Sequence, residues 1–372
     1  FYIQKKKIFK ENPGYIVKQY PHLFNTKKYI PLRYESNKKF RISVDTMSDI
    51  EFLNYLYFRL RSNRKQFNIK NVLKLKNLKI LNKHVLQRKP GQKKFKIKII
   101  TSKDQSIGLG HYRRSQFLER EMSERYYCSV NIHTINKSLI NKLKKTNLKT
   151  DIVIFDLDQN NLNKIKLFLN KKNYLIIDKF INKKSVNCLI PNIIINKSMR
   201  NINGGLDYLI LDRKINYINL TFKKEFKPIK KLLLIGGSYA IDPEISKFMN
   251  LNKDDLVILI GPLVNKEIIK KLKKDNFHVI VNPRNIYTYI KSSENIYSRF
   301  GVSVFESIAL NKKPIIFSKY NFKDKKIIYS LYKKGYLNIF NRKKNYNKKN
   351  IDINYCYNKI DNFLIKKKFI EN

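Results

Sequence analysis

One histidine stands where a chain of this kind could place a base. In Ile107-Gly108-Leu109-Gly110-His111-Tyr112-Arg113-Arg114 it follows two glycines and precedes two arginines. The segment comes directly after an apolar run at 95–100 and opens a helical pattern. Gly108 and Gly110 let the backbone turn tightly and let a substrate approach closely. The helix start offers free N–H groups and positive potential, suited to a phosphate or a developing oxyanion. That field disfavours a cationic imidazole, which leaves a neutral ring available as general base. A plain strand-to-helix turn with an exposed histidine is equally compatible with these residue types.

Two further loops carry related chemistry. Gly236-Gly237-Ser238 follows the apolar run Leu232-Leu233-Leu234-Ile235, and a Gly-Gly turn at a strand end is also common punctuation. In Arg299-Phe300-Gly301-Val302-Ser303-Val304-Phe305-Glu306, a glycine and a serine ahead of a helix can hold a phosphate. Glu306 near the helix start can accept both hydroxyls of a ribose; taken alone, it also complements the helix dipole.

The elements that must position these residues fall into three regions. Residues 1–92 hold an extended piece at 40–44, then Asp45-Thr46-Met47-Ser48-Asp49, then Ile50, Leu53, Tyr57 and Leu60 at helical spacing. Thr46 or Ser48 is the predicted N-cap. Pro90-Gly91 marks a hinge. Residues 93–225 alternate strand and helix: strands at 95–100, 152–155 and 174–177, helices near 113–123 and 162–169. The last two strands end in Asp156 and Asp178. Residues 226–372 restart the alternation, with strands at 232–235, 256–260, 279–281 and 314–317, a helix at 305–310 and a helical tail. Buried-type runs at this spacing predict an α/β chain with two parallel-sheet, Rossmann-like lobes facing one cleft.

Together Gly108-Leu109-Gly110-His111 with Arg114, then Gly236-Gly237-Ser238, then Ser303 to Glu306 with Pro314, resemble a GT-B-fold group of nucleotide-sugar proteins. That group contains the UDP-sugar hydrolase of pseudaminic acid biosynthesis, the spore-coat polysaccharide protein SpsG and, more distantly, the lipid-linked N-acetylglucosaminyltransferase of peptidoglycan synthesis. The resemblance covers roughly residues 95–330 and is most specific at the Gly-x-Gly-His-x-x-Arg piece. Gly204-Gly205 with Tyr208 and Leu209 matches a segment closing the first lobe in the hydrolase relatives.

The resemblance implies a UDP-sugar bound between the lobes. Gly236, Gly237, Ser238, Gly301 and Ser303 would lie near the diphosphate and Glu306 on the ribose. Gly108, Gly110 and Arg114 would line the sugar side, with His111 as base. In a hydrolase His111 activates water for attack at the anomeric carbon; in a glycosyltransferase it activates an acceptor hydroxyl. Helix dipoles and amides would stabilise the departing diphosphate without an obligatory metal. The chain departs from the pattern at Arg299-Phe300-Gly301, which lacks a glycine pair, at Asp178-Lys179 and at Asp156-Leu157-Asp158.

The first region has a resemblance of its own. Arg41 to Asp49, followed by a helix and Leu81-Asn82-Lys83-His84, is similar to the C-terminal end of an acylneuraminate-type cytidylyltransferase. There Asp45 matches an aspartate that helps hold Mg2+. The nucleotide loop that begins such enzymes is absent, so residues 1–92 would be a remnant, and the chain is expected to be the back end of a longer protein.

Composition bounds the competing classes. Of 372 residues, Lys and Arg supply 79 and Asp and Glu only 28, for a formal net charge of +51. A hydrophobic fraction of 42% excludes a disordered polycation. The charge is spread along the chain, as compositional bias would spread it, and no nucleic-acid-binding motif accompanies it, so no specific nucleic-acid partner is expected. A basic nucleic-acid binder and a non-catalytic scaffold pair of lobes are the alternatives of another class. Cys128, Cys188 and Cys356 form no framework, and the five histidines show no zinc-ligand spacing, which with no long apolar run predicts a cytoplasmic chain without a membrane span. The pattern leaves the oligomeric state open.

Overall fold

The computed structural model describes residues 44, 46–62, 64–75, 95–103, 109–126, 128–136, 140–141, 150–165, 169, 174–179, 187–190, 202–221, 228–236, 243–283, 285–317, 322–342 and 350–366, with positions 17, 22, 24 and 25. Asp45, Gly108, Gly237 and Ser238 lie outside the described residues, as does most of the extended piece expected at 40–44.

Two helices, α1 (Met47–Ser62) and α2 (Ile69–Leu73), come first. The first lobe then runs β1 (Phe95–Thr101), α3 (Gly110–Arg125), β2 (Cys128–Thr134), β3 (Ile152–Asp156), α4 (Gln159–Ile165), β4 (Tyr174–Ile177), β5 (Asn187–Ile190), β6 (Ile202–Gly204) and α5 (Lys214–Thr221). Its strands pair in the order β2-β1-β3-β4-β5-β6, all parallel.

The second lobe comprises β7 (Ile229–Ile235), α6 (Pro243–Leu251), β8 (Leu256–Ile260), α7 (Lys266–Lys274), β9 (His278–Val281), α8 (Ile286–Ser292), β10 (Ser293–Ser298), α9 (Val302–Ala309), β11 (Ile315–Ile316), α10 (Phe322–Lys333), β12 (Asn338–Ile339) and α11 (Ile353–Lys366). Its order, β12-β11-β10-β7-β8-β9, is again wholly parallel. Two six-stranded parallel sheets of this type make a GT-B-like α/β fold, as the alternation of strands and helices predicts.

Strand periodicity sorts the core. In β3, Ile152 and Ile154 join one apolar cluster while Val153 and Phe155 join another on the opposite face. In β7, Leu232 and Leu234 face the first of these clusters, and Leu233 and Ile235 face a third. Thus one cluster runs unbroken through both lobes, and α11 adds Tyr357, Ile360, Phe363 and Leu364 to it. Each such side chain, fully buried, contributes roughly 1.5–3 kcal/mol. The helix expected in the tail therefore exists and returns to the first lobe, where Tyr357 Oη donates to the Leu211 carbonyl at 2.8 Å.

The described part of residues 1–92 packs directly on the first lobe. Phe52, Leu56 and Leu60 of α1 form a small core with Val72 of α2 and Tyr217 of α5. Polar contacts reinforce it: Arg120 of α3 donates to Glu51 at 2.6 Å and to Glu124 at 3.2 Å. Ser48 donates to the buried Glu124. Among the described residues, no helix is long and apolar enough to cross a membrane.

Candidate functional site

In each sheet the strand order reverses at one point, and there the carboxyl ends open a crevice. In the first sheet that point lies between β1 and β3, in the second between β7 and β10. α3 begins after β1, Asp156 closes β3, Gly236 follows β7, and Gly301 precedes α9 after β10. All the described candidate residues therefore cluster at the two reversal points.

Helix α3 starts at Gly110, three residues earlier than expected, so His111 sits inside its first turn. Its N-cap is Leu109, which makes no side-chain cap bond. Helix α9 likewise starts early, at Val302, with Gly301 as N-cap and no side-chain cap bond. The two helix starts meet: a Cβ added at Gly110 would lie 3.6 Å from Cγ2 of Val302. Each end contributes unsatisfied N–H groups and positive potential to the same region.

The His111 ring is 14% exposed, and its Nδ1 lies 2.6 Å from Asp156 Oδ1. Asp156 is fully buried and accepts two bonds from Arg114, Nε to Oδ2 at 2.7 Å and a terminal nitrogen to Oδ1 at 2.5 Å. The same terminal nitrogen lies 3.4 Å from Oδ2 of Asp178, at the end of β4. Asp178 has φ 67°, a left-handed turn that aspartate tolerates better than most residues. Burial works against the Asp156 charge, but Arg114 and His111 outweigh it and hold the carboxyl below the usual range. Burial also opposes the Arg114 charge, yet Asp156 and Asp178 raise the guanidinium above its ordinary value. Arg114 is thus turned inward and acts through Asp156, where direct contact with a ligand was expected. No described residue makes a hydrogen bond to Nε2 of His111, and the terminal nitrogen of Arg114 also stands 3.2 Å from Nδ1.

Glu306 lies across the cleft on α9, fully buried. Arg113 donates to its Oε1 at 3.3 Å, and Tyr287 Oη also lies 3.2 Å from it. The same Tyr287 hydroxyl lies 3.2 Å from Oδ2 of Asp212, in the segment after β6. Glu306 Oε2 has no hydrogen-bond partner among the described residues. Burial and the neighbouring Asp212 push the Glu306 carboxyl up, against the pull of Arg113 and Tyr287. Ser303 Oγ sits 3.4 Å from Ser298 Oγ. A Cβ at Gly236 or Gly301 would meet nothing within 4 Å among the described residues.

Asp156, Asp178, Arg113, Tyr287 and Asp212 were not among the expected site residues. The first two were legible as aspartates ending apolar strands; the others carried no signal of their own. Among the described residues no group of histidine, cysteine and carboxylate side chains could hold a metal ion. Cys128, Cys188 and Cys356 form no disulfide with one another. A separate groove of about 930 Å³, lined by Ile229, Lys230, Leu256, His278 and Tyr289, lies at the amino ends of β7 to β9, away from these residues.

No family model matches the chain, and no curated protein matches it. Among solved structures it is similar to UDP-N-acetylglucosamine 2-epimerase from Rickettsia bellii, at 10% identity and TM-score 0.43, covering 73% of this chain and 96% of that one. A putative UDP-N-acetylglucosamine 2-epimerase from Listeria monocytogenes matches at 10% identity and TM-score 0.40, covering 74% and 90%. MurG from Acinetobacter baumannii matches at 12% identity and TM-score 0.39, covering 74% and 92%. At such identities and TM-scores nothing about activity transfers from them, and the fold rests on the two sheet orders.

Proposed function

We propose that this chain is a nucleotide-sugar enzyme in which His111, oriented by Asp156, is the general base. The observation that carries the reading is the 2.6 Å contact between His111 Nδ1 and Asp156 Oδ1. An ionised aspartate on Nδ1 fixes the tautomer that leaves Nε2 as acceptor, and it stabilises the imidazolium formed when Nε2 takes a proton. Arg114 keeps Asp156 ionised, so the dyad is built to hold a negative charge behind the ring.

The ligand proposed is a UDP-sugar between the lobes. Its diphosphate would lie against the facing starts of α3 and α9, beside Gly236, Gly301 and Ser303, where N–H groups can take up the charge of the leaving group. Glu306 would meet the ribose, which requires its Oε2 to become accessible. In the hydrolytic form, a water oxygen bonds to the anomeric carbon as its proton passes to Nε2. The bond from that carbon to the phosphate oxygen breaks, and UDP leaves with the electron pair. A glycosyltransferase would use an acceptor hydroxyl in place of water, with the same base. Either reaction suits the synthesis of surface glycans such as nonulosonates, in a compartment that keeps the three cysteines reduced. No metal is required of the two lobes; Asp45 as a Mg2+ ligand belongs with the cytidylyltransferase resemblance.

The test is incubation with a panel of UDP- and CMP-sugars, with and without sugar acceptors, beside His111→Ala. Free UDP from the unaltered chain alone supports hydrolysis; UDP release only with an acceptor supports transfer. Absence of nucleotide binding overturns both.

A further inference from the structure

The contact between the lobes is built from charge as well as from apolar surface. Arg113 and Asp212 belong to the first lobe, Tyr287 and Glu306 to the second. Arg113 and the Tyr287 hydroxyl both reach Glu306 Oε1, and that hydroxyl also stands 3.2 Å from Asp212. A phenol has one proton, so it can donate fully to only one of the two carboxylates at a time. The second carboxylate then needs a proton or a cation. Arg113, whose side chain is 36% exposed, serves Glu306, and Arg120 stands 3.6 Å from Asp212 Oδ1. The backbone N–H of Lys214 donates to the same Asp212 oxygen at 3.0 Å. Glu51 of α1 in turn holds Arg120. Among the described residues, these groups make up the charged surroundings of Glu306 from α3, α8, α1 and the segment leading into α5.

We propose that Arg113, Glu306, Tyr287 and Asp212 form a proton-sensitive latch that sets the separation of the lobes, and that Arg113 is thereby a positioning residue for His111. Arg113 lies two positions after His111 on one helix turn, so a shift of the latch moves the base relative to anything bound on the second lobe. With the lobes together, Glu306 is taken from water and set near a second carboxylate. Its carboxyl stands above the ordinary value for that reason. With the lobes apart, water solvates it and the value falls back. Closing therefore takes up a proton: the latch is strongest in acid and weakens as pH rises through the closed-state value. Arg113 offsets part of the cost of the ionised form and extends the closed state to higher pH.

The experiment needs no nucleotide, so its outcome stands apart from the nucleotide-sugar reading. Small-angle scattering and amide exchange at residues 302–305 are followed from about pH 5 to about pH 9. The unaltered chain should expand and lose amide protection, each rate being taken relative to the intrinsic exchange rate at that pH, as pH rises. In Glu306→Gln, which cannot ionise, that pH dependence should disappear. In Arg113→Met the rise should reach further and continue to higher pH, with amide protection near neutrality roughly tenfold lower. Arg113→Lys should fall between, and far-UV circular dichroism checks that each variant is folded. Should Arg113→Met fail to fold, Tyr287→Phe, which removes the bridging proton, should likewise carry the rise further and to higher pH. An unchanged pH course in Glu306→Gln, or an unshifted one in Arg113→Met or its substitute, overturns the latch.

Discussion

Arg113 and Arg114 are neighbours in sequence and serve opposite lobes. Arg114 turns into the first sheet to clamp Asp156, while Arg113 reaches across the cleft to Glu306. A helix rotates about 100° per residue, so one turn of α3 can present both cations, and His111, in different directions. His111, the cation that clamps Asp156 and the cation of the interlobe contact thus share a single helix turn.

The dyad can be divided by substitution. His111→Ala should lower turnover by roughly 10²–10⁴-fold, the usual contribution of a positioned base. Asp156→Asn should keep the shape of the contact but present the wrong partner to Nδ1, lowering kcat by a comparable factor with nucleotide affinity little changed. The readout is UDP release against UDP binding by calorimetry. If Asp156→Asn keeps full kcat, His111 works without an orienting partner.

Arg114 bears on stability more than on binding. Removing it leaves Asp156 buried without its main cation, and breaking a buried pair in this way costs about 3–5 kcal/mol. The pH course has a definite sign. Asp156 stands below its ordinary value in the folded chain, so its stabilisation is present above the ordinary carboxylate range and lost as pH falls through the folded value. In Arg114→Met the folded value moves up, so this stabilisation shrinks, and the variant's deficit should be largest above the ordinary carboxylate range and narrow as pH falls. Thermal unfolding across that range is the measurement; a parallel downward shift at every pH would refute the linkage.

Much of this was legible in the sequence, for physical reasons that also mark its limit. Val153, Phe155, Leu233 and Ile258 lie in short continuous apolar runs, as strands covered on both faces must, and the sheets follow from them. His111 and the strand-ending Asp156 and Asp178 are visible as residue types at element boundaries. The contacts that gather them, His111 to Asp156 and Arg114 to both aspartates, are not, because they join positions 42 or more apart and depend on which strand crosses over. The Arg113–Glu306 contact spans 193 residues and exists only through the packing of two lobes. Strand β10, Ser-Glu-Asn-Ile-Tyr-Ser, was missed because three of its first five residues are polar. It is central in the sheet, yet its buried Ser293 and Ser298 carry no apolar signal. The early start of α9 was hidden by β-branched Val302 and Val304, which favour strands by propensity.

Helix α1 is expected to be part of the first lobe's stability. Leu56 is fully buried against Tyr217 and its neighbours, so Leu56→Ala should cost about 2–5 kcal/mol. If residues 46–75 formed an independent remnant, the variant would melt in a separate early transition. Packing on α5 instead predicts one displaced transition for the lobe, which differential scanning calorimetry distinguishes.

Gly301 offers a test of the cleft with little risk to the fold. Its φ of 173° is extended backbone that any residue adopts, and a Cβ there meets nothing within 4 Å among the described residues. Gly301→Val should therefore leave the unfolding temperature nearly unchanged. The added methyl groups would occupy the space in front of the α9 N–H groups, where the diphosphate is proposed to lie. Displacing a ligand from unsatisfied N–H donors loses charge-assisted hydrogen bonds worth about 1.5–3 kcal/mol each, so UDP affinity should fall by at least roughly tenfold. Gly236→Val, at the other side of the same reversal point, should behave alike. Calorimetric titration with UDP reads both, and unchanged affinity in the two variants would move the diphosphate away from the starts of α3 and α9.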